Sequence, residues 1–212
     1  MRCKRFAAFA LAVALSLAMA AGLAACDSSN GDNGGNGGDD NGTTDTTTFR
    51  NDEYGFSITY PERFIKSEPE TAGGAGSSTV FSVAFVDPDG TVINDLTVDG
   101  LSVGVYDLGN AFTPEEVPDL EMEFASLVNQ MVGGLQDGAV ESPLESVEVN
   151  GVPGFEFTYT YTSATDGTGL KAAVLFLVKG QYEYMITSQA TSEHWATLSP
   201  ELEAAAMSFT ID

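Results

Sequence analysis

The chain has 212 residues, 31 of them acidic and 8 basic, and a net charge of −23. Three of the basic residues and none of the acidic ones precede Cys26, so the part from Cys26 onward carries 31 acids against 5 bases, a net charge of −26. Such a surface repels nucleic acid phosphates and anionic lipid head groups, which excludes nucleic acid as a partner. Solubility is the simplest consequence; binding of a cationic partner or of a divalent cation is the functional alternative.

Residues 1–25 have the form of a secretory signal peptide. The basic sequence RCKR at 2–5 is followed by an almost wholly apolar run over 6–22 and then by small residues. A run of about 20 apolar residues is also long enough to cross a bilayer, so an uncleaved transmembrane helix is the alternative.

The sequence Leu23-Ala24-Ala25-Cys26 decides between these two interpretations. It resembles the bacterial lipobox, which has a Leu, two small residues and a Cys. The resemblance implies that Cys26 carries lipid on its thiol and becomes the N-terminus after cleavage. Because two or three acyl chains give stable anchoring, we predict attachment to the outer face of the cytoplasmic membrane through Cys26.

The segment 26–47 is predicted to be a disordered linker behind the anchor. Residues 27–47 contain Gly, Asn, Asp, Ser and Thr and no aliphatic or aromatic side chain, so they cannot bury enough surface to fold. A coil of this length typically spans about 25 Å. The remaining residues, 48–212, are predicted to form one domain, and since the two cysteines are Cys3 and Cys26, no disulfide forms within it.

The sequence of the first half of the domain predicts strands followed by a helix. Alternating or apolar runs predict strands at 54–61, 79–86 and 101–108. Thr113-Pro114-Glu115-Glu116 is a helix start, with Pro118 delaying the regular helix by a turn and Gly133-Gly134 ending it.

The second half begins with the strongest local signal of the domain. Asn150-Gly151 favours a type I′ hairpin between ESVEV and VPGFEFTYTYT. In the second of these strands four aromatic residues alternate with polar ones: Phe155, Phe157, Tyr159 and Tyr161. We expect them to form the buried face of a sheet; an exposed aromatic platform for a sugar or a peptide is the alternative.

Two further strands and a helix complete the chain. Strands are predicted at 170–179 and 182–190, joined by a turn at Gly180-Gln181. A helix begins near Trp195 and restarts at Pro200, and SFTID forms a short final strand. Seven or eight strands, mostly linked by hairpins, with two helices predict an α+β fold in which helices flank an antiparallel sheet.

Three stretches of the domain resemble one family: YGFSITYPERF, VNGVPGFEFTYTY, and YEYMITSQATSEHW with the later LEAAAMSF. Together they are similar to the PsbP/DcrB/LpqN-type superfamily over nearly the whole domain. The resemblance implies a sandwich of α/β/α type and an accessory binding role without catalysis. It transfers no functional residue to this chain.

The sequence contains one candidate for nucleophilic catalysis. Gly100-Leu101-Ser102-Val103-Gly104 fits the G-x-S-x-G pattern, which requires a sharp strand-to-helix turn. Ser102 instead lies within a predicted strand, and the only base for it is His194, the sole histidine. We therefore expect no enzymatic activity and keep a hydrolase using Ser102 and His194 as an alternative.

The acidic turn Asp87-Pro88-Asp89-Gly90 is the best candidate for cation binding. Its Gly is fourth and its twelfth position is a Val, unlike the calcium loop of an EF-hand. Asp95 and Asp99 lie nearby in the sequence, so a weak surface site is the alternative to a tight turn.

The sequence thus predicts no catalytic residue, no cofactor and no metal ligand. We expect a monomeric, non-enzymatic surface protein that binds another protein of the cell envelope. If the aromatic side chains between 155 and 161 are buried, binding is expected on loops such as 68–78 or 107–118.

Overall fold

The computed structural model describes residues 45–67 and 79–212, which contain eleven strands and three helices. The strands are β1 Thr46–Asn51, β2 Phe56–Pro61, β3 Ile65–Ser67, β4 Thr79–Val86, β5 Val92–Ile93, β6 Leu96–Thr97, β7 Gly100–Phe112, β8 Ala139–Val149, β9 Val152–Thr162, β10 Gly169–Thr191 and β11 Thr210–Ile211. The helices are a 3-10 helix Pro114–Leu120, α1 Glu121–Gly133 and α2 Trp195–Met207.

The centre of the fold is a sheet with the order β3-β4-β7-β10-β9-β8, in which every pairing is antiparallel. β10 contributes two arms to it. The first arm pairs with β9 and the second with β7, and the backbone N–H of Ser192 donates to the carbonyl of Gly169 at 2.9 Å, so the two ends of β10 meet. The strand turns back around Gly180, whose φ of +61° suits a glycine.

The two faces of this sheet carry separate hydrophobic cores. On the α1 face, the 3-10 helix and α1 cover aromatic side chains of β9 and β10. On the α2 face, α2 packs beside a small sheet with the order β1-β2-β11. The arrangement is the predicted α+β fold with helices on both faces of an antiparallel sheet.

Several local predictions are confirmed. Asn150 and Gly151 have φ of +50° and +81° between β8 and β9, as a type I′ turn requires. The chain enters α1 through one 3-10 segment that contains Pro118, and Glu116 closes a capping box with Thr113.

One local prediction is wrong, and the first strand was missed. α2 does not restart at Pro200 but continues through it. Pro200 is exposed, and the carbonyls on the solvent side of a helix can tilt towards water, while Leu198 and Leu202 on the opposite side are buried in the core. The strand β1 was not predicted; it begins at Thr46, because Thr46 and Thr47 pair with the end of β2.

Candidate functional site

A groove of about 450 Å³ lies between α2 and the edge of the large sheet formed by β8 and β9. We call it the α2–β8 groove. It exists because α2 covers the arms of β10 but does not reach across the outermost strands. Its lining includes Glu141, Glu156, Lys171, Trp195, Ser199 and Glu203.

A cation of the chain itself occupies one end of the α2–β8 groove. The ammonium of Lys171, on the first arm of β10, lies 5.4 Å from the centroid of the Trp195 ring and forms an ion pair with Glu141 of β8. An aromatic face and a carboxylate are together a favourable environment for a positive charge. This end of the groove therefore holds a compensated cation.

The other end of the groove is acidic. Glu145 of β8 stands directly opposite Glu156 of β9, and Glu203 of α2 faces them across the groove. Burial, followed by the charges of Glu145 and Glu203, raises the pKa of Glu156. Like charges placed directly opposite on neighbouring strands destabilise a sheet, so this arrangement costs the folded state free energy.

His194 is held by an acid that the sequence analysis did not pair with it. Its Nδ1 lies 2.7 Å from Oδ2 of Asp99, which is 0% exposed. The backbone N–H groups of Thr91 and Thr191 also donate to the Asp99 carboxylate, at 2.9 and 2.8 Å. The carboxylate thereby joins the turn after β4 to the beginning of α2.

The two members of this pair shift each other's titration. The hydrogen bond that the His194 ring donates to Asp99 is the main cause that raises the pKa of His194. Burial on its own would raise the pKa of Asp99, but the hydrogen bonds from His194, Thr91 and Thr191 together outweigh it and lower that pKa. Both shifts favour the charged pair.

The structure does not bring Ser102 to His194. Ser102 lies in the middle of the large sheet, between Ala84 of β4 and Thr187 of β10, and the residues around it continue as regular strand. It is therefore not on a nucleophile elbow. His194 makes its side-chain contacts with Asp99 and Thr91 instead.

In the acidic turn after β4, the carboxylate of Asp87 makes contacts within the fold. Asp87 accepts a hydrogen bond from the backbone of Asp89 at 3.1 Å and lies 3.5 Å from Arg63. Asp95 occupies the tight turn between β5 and β6 with a φ of +63°. In residues 45–67 and 79–212, no group of three or more His, Cys, Asp or Glu side chains is arranged to hold a metal ion.

The aromatic run of β9 is buried, as expected. Its four aromatic side chains are between 1% and 8% exposed and pack under α1, so the alternative of an aromatic platform is excluded. The predicted loop 107–118 is instead the end of β7 followed by the 3-10 helix, because the pairing with β10 extends to Phe112. The predicted loop 68–78, Cys26, the signal peptide and nearly all of the linker lie outside the described residues.

A comparison of the sequence with protein families gives a match to PsbP over residues 44–211, most of the chain. The chain belongs to the PsbP family. No curated protein sequence matches it significantly. Within the described part of this PsbP-family chain, no helix is both long and apolar enough to cross a membrane.

Two solved structures show the same fold at low sequence identity. The chain is similar to cyanobacterial PsbP (CyanoP) from Synechocystis sp. PCC 6803, with 17% identity, a TM-score of 0.52, and coverage of 84% of this chain and 98% of that one. It is also similar to LpqN of Mycobacterium tuberculosis, with 11% identity, a TM-score of 0.51, and coverage of 79% and 90%.

Sequence reasoning missed the α2–β8 groove in this PsbP-family domain. Its charged residues come from β8, β9, β10 and α2, and no local pattern joins them. One signal was available: within FEFTYTYT, the polar residues alternating with the aromatic ones show that β9 has a second, polar face.

Proposed function

We propose that this chain is a monomeric, lipid-anchored, extracytoplasmic protein of the cell envelope that binds a partner without catalysing a reaction. The α2–β8 groove is its binding site. The observation that carries this proposal is the open groove of about 450 Å³, in which an apolar floor meets charged walls. Grooves of this size with a few convergent polar groups are the usual form of a binding site.

The family supports the absence of catalysis in this proposal. The resemblance of this chain to the PsbP superfamily implies an accessory binding role. The LpqN structure is described as that of a protein involved in cell envelope biogenesis. We carry the envelope setting to this chain because residues 1–25 have the form of a signal peptide and Leu23-Ala24-Ala25-Cys26 resembles a lipobox.

Replacement of Cys26 tests the location. In the native host, Cys26→Ala should release the protein from the membrane fraction or leave an unprocessed precursor, and the mass should lose the lipid and retain the signal peptide. Cys3→Ala is the matched control, since Cys3 lies within the signal peptide and should not affect anchoring. A Cys26→Ala protein that stays in the membrane, with a mass changed by the side chain alone, would refute the lipid anchor.

Site-specific crosslinking tests the groove. A photo-crosslinking amino acid at Ser199, in the α2–β8 groove, should capture a discrete partner band in living cells. The same amino acid at Met122, which is 79% exposed on α1, is the control and should give no such band. Equal crosslinking at the two positions, or none at Ser199, would contradict the groove as the binding site.

A further inference from the structure

The two ends of the α2–β8 groove differ in charge compensation. At one end Lys171 pairs with Glu141 and lies over the Trp195 ring. At the other end, Glu145, Glu156 and Glu203 converge, and no basic side chain of residues 45–67 and 79–212 forms an ion pair with them. Burial and charge repulsion raise the pKa of Glu156, and a cation placed among the three carboxylates would offset both by favouring the charged form.

The basic residues of the chain are already engaged. Five follow Cys26. Arg50 and Arg63 form ion pairs with acids, and Lys171 pairs with a groove glutamate. Lys179 donates to the carbonyls of the last two residues, and Lys66 lies 5.2 Å from the centroid of an aromatic ring. None of these five side chains forms an ion pair with Glu145, Glu156 or Glu203.

The other segments of the protein do not supply a cation either. The stretch 27–47 carries five Asp and no Lys or Arg, so the groove repels it. A second copy of the chain would bring a net charge of −26 from Cys26 onward, 31 acids against 5 bases, to a site that is already acidic. A cation held at this end of the groove would therefore belong to a different molecule.

The dimensions of the groove indicate the form of that molecule. Trp195, beside the compensated cation, and Glu203, in the acidic cluster, lie about 12 Å apart along α2 at the rise of an α-helix. About four residues of extended polypeptide span this distance. The floor between the ends is formed by Ala173, Ser199 and Leu202, which suit small or apolar side chains.

Resting on the binding site proposed above, we infer that the groove takes an extended segment of a partner protein that places a Lys or Arg side chain among Glu145, Glu156 and Glu203. The segment lies along α2, with its cationic residue at the Glu203 end. The acidic end gives the groove its preference for a basic segment, because an uncompensated negative charge disfavours an acidic one.

Trp195 offers a direct measurement of occupancy. It is the sole tryptophan of the chain and lines the groove, so its fluorescence reports on this site. Full-length lipoprotein in detergent micelles is titrated with the peptide acetyl-Ala-Lys-Ala-Lys-Ala-amide and with its counterpart that carries Glu in place of Lys. The lysine peptide should produce a saturable change at 50 mM salt that weakens at 300 mM salt, and the glutamate peptide should produce none.

Charge-neutral variants locate the cation. Glu156→Gln and Glu203→Gln should each weaken binding of the lysine peptide about two- to fivefold, the effect of a partly exposed ion pair, and the double variant on the order of tenfold. Glu148→Gln is the matched control, since Glu148 is an exposed residue of β8 that is not part of the groove lining. It changes the net charge equally and should leave the affinity unchanged.

Three results would overturn the inference. They are no saturable response to the lysine peptide, an equal loss of affinity in Glu148→Gln, and tighter binding of the small diamine putrescine than of the peptide. Each of them leaves the proposed binding site intact if crosslinking at Ser199 still captures a partner. Failure of crosslinking at Ser199 contradicts the proposed site itself, so the two failures are distinguishable.

Discussion

The two faces of the large sheet differ most at strand β9. On the α1 face, the ring centroid of Phe176 lies 4.9 Å from that of Phe124 and 5.9 Å from that of Phe157, and α1 covers these rings. On the α2 face, the same strand β9 presents Glu156 and Thr158 to an open groove. Because successive side chains of a strand point to opposite faces, one strand supplies both the core and the candidate binding site. At β9 the buried side chains therefore lie on the α1 side of the sheet and the candidate binding groove lies on the α2 side.

Removing an aromatic ring from the α1 face should have the largest effect. Phe176 is fully buried and touches the rings of Phe124 and Phe157. Phe176→Ala should lower the free energy of unfolding by about 3–5 kcal/mol, through lost burial and the cavity left behind. Urea unfolding at pH 7 measures it. Ser199→Ala in the groove is the comparison and should cost less than about 1 kcal/mol; similar losses in both variants would contradict the division between the faces.

Loss of Asp99 should weaken the attachment of α2 on the opposite face. Asp99→Ala leaves the N–H groups of Thr91 and Thr191 without their buried acceptor and removes the partner of His194. We expect a loss of about 2–4 kcal/mol in the free energy of unfolding. His194→Gln, which affects one partly exposed side chain, should cost less.

The loss on replacing Asp99 should also depend on pH. Because the pKa of His194 is raised in the folded state, its contribution to the free energy of unfolding is complete below about pH 6.5. That contribution disappears as the pH rises through the folded-state pKa. The lowered pKa of Asp99 makes its contribution complete above about pH 3.9 and removes it as the pH falls through the folded value. The difference between wild type and Asp99→Ala should therefore be largest between about pH 4 and 6.5. A difference that does not change from pH 4 to 9 would contradict the charged pair.

Glu183 tests whether the α1 face tolerates charge. It is 3% exposed on the second arm of β10, opposite Tyr106, and burial raises its pKa to about 7. A carboxyl group whose pKa is higher in the folded state destabilises the fold as the pH rises from the group's ordinary pKa to its folded pKa. Glu183→Gln should therefore raise the free energy of unfolding by about 1–3 kcal/mol at pH 8 and have little effect at pH 4. Glu148→Gln, on an exposed residue, should show no such dependence.

Local sequence patterns were sufficient for much of the fold because they act over a few residues. Asn150-Gly151 specifies its turn by backbone geometry, and the aromatic alternation of β9 specifies which face is buried. Short strands such as β3 and β5 escaped prediction, since two or three residues carry no periodicity.

The candidate site could not be predicted because it depends on long-range placement. Asp99 and His194 are separated by 95 positions and Glu145 and Glu203 by 58, so only the order of the strands and the position of α2 bring them together. The sequence offers Ser102 as a partner for the sole histidine, His194, only as an alternative, and it does not show that Asp99 points towards α2.

The smallest effect should separate stability from binding within the groove. Glu156 is partly exposed and is disfavoured in its charged form, first by burial and then by Glu145 and Glu203. Glu156→Gln removes this repulsion at pH 7, and because solvent screens such a site, we expect a gain in the free energy of unfolding of no more than about 0.5 kcal/mol. The gain should vanish at pH 3, where wild-type Glu156 is protonated. The same substitution should weaken binding of the lysine peptide, so its effects on stability and affinity should have opposite signs. Thermal and urea unfolding at both pH values test the change in stability, and the Trp195 titration tests the change in affinity. A variant that is less stable at pH 7 and unchanged in affinity would show that the glutamates stabilise the sheet edge instead.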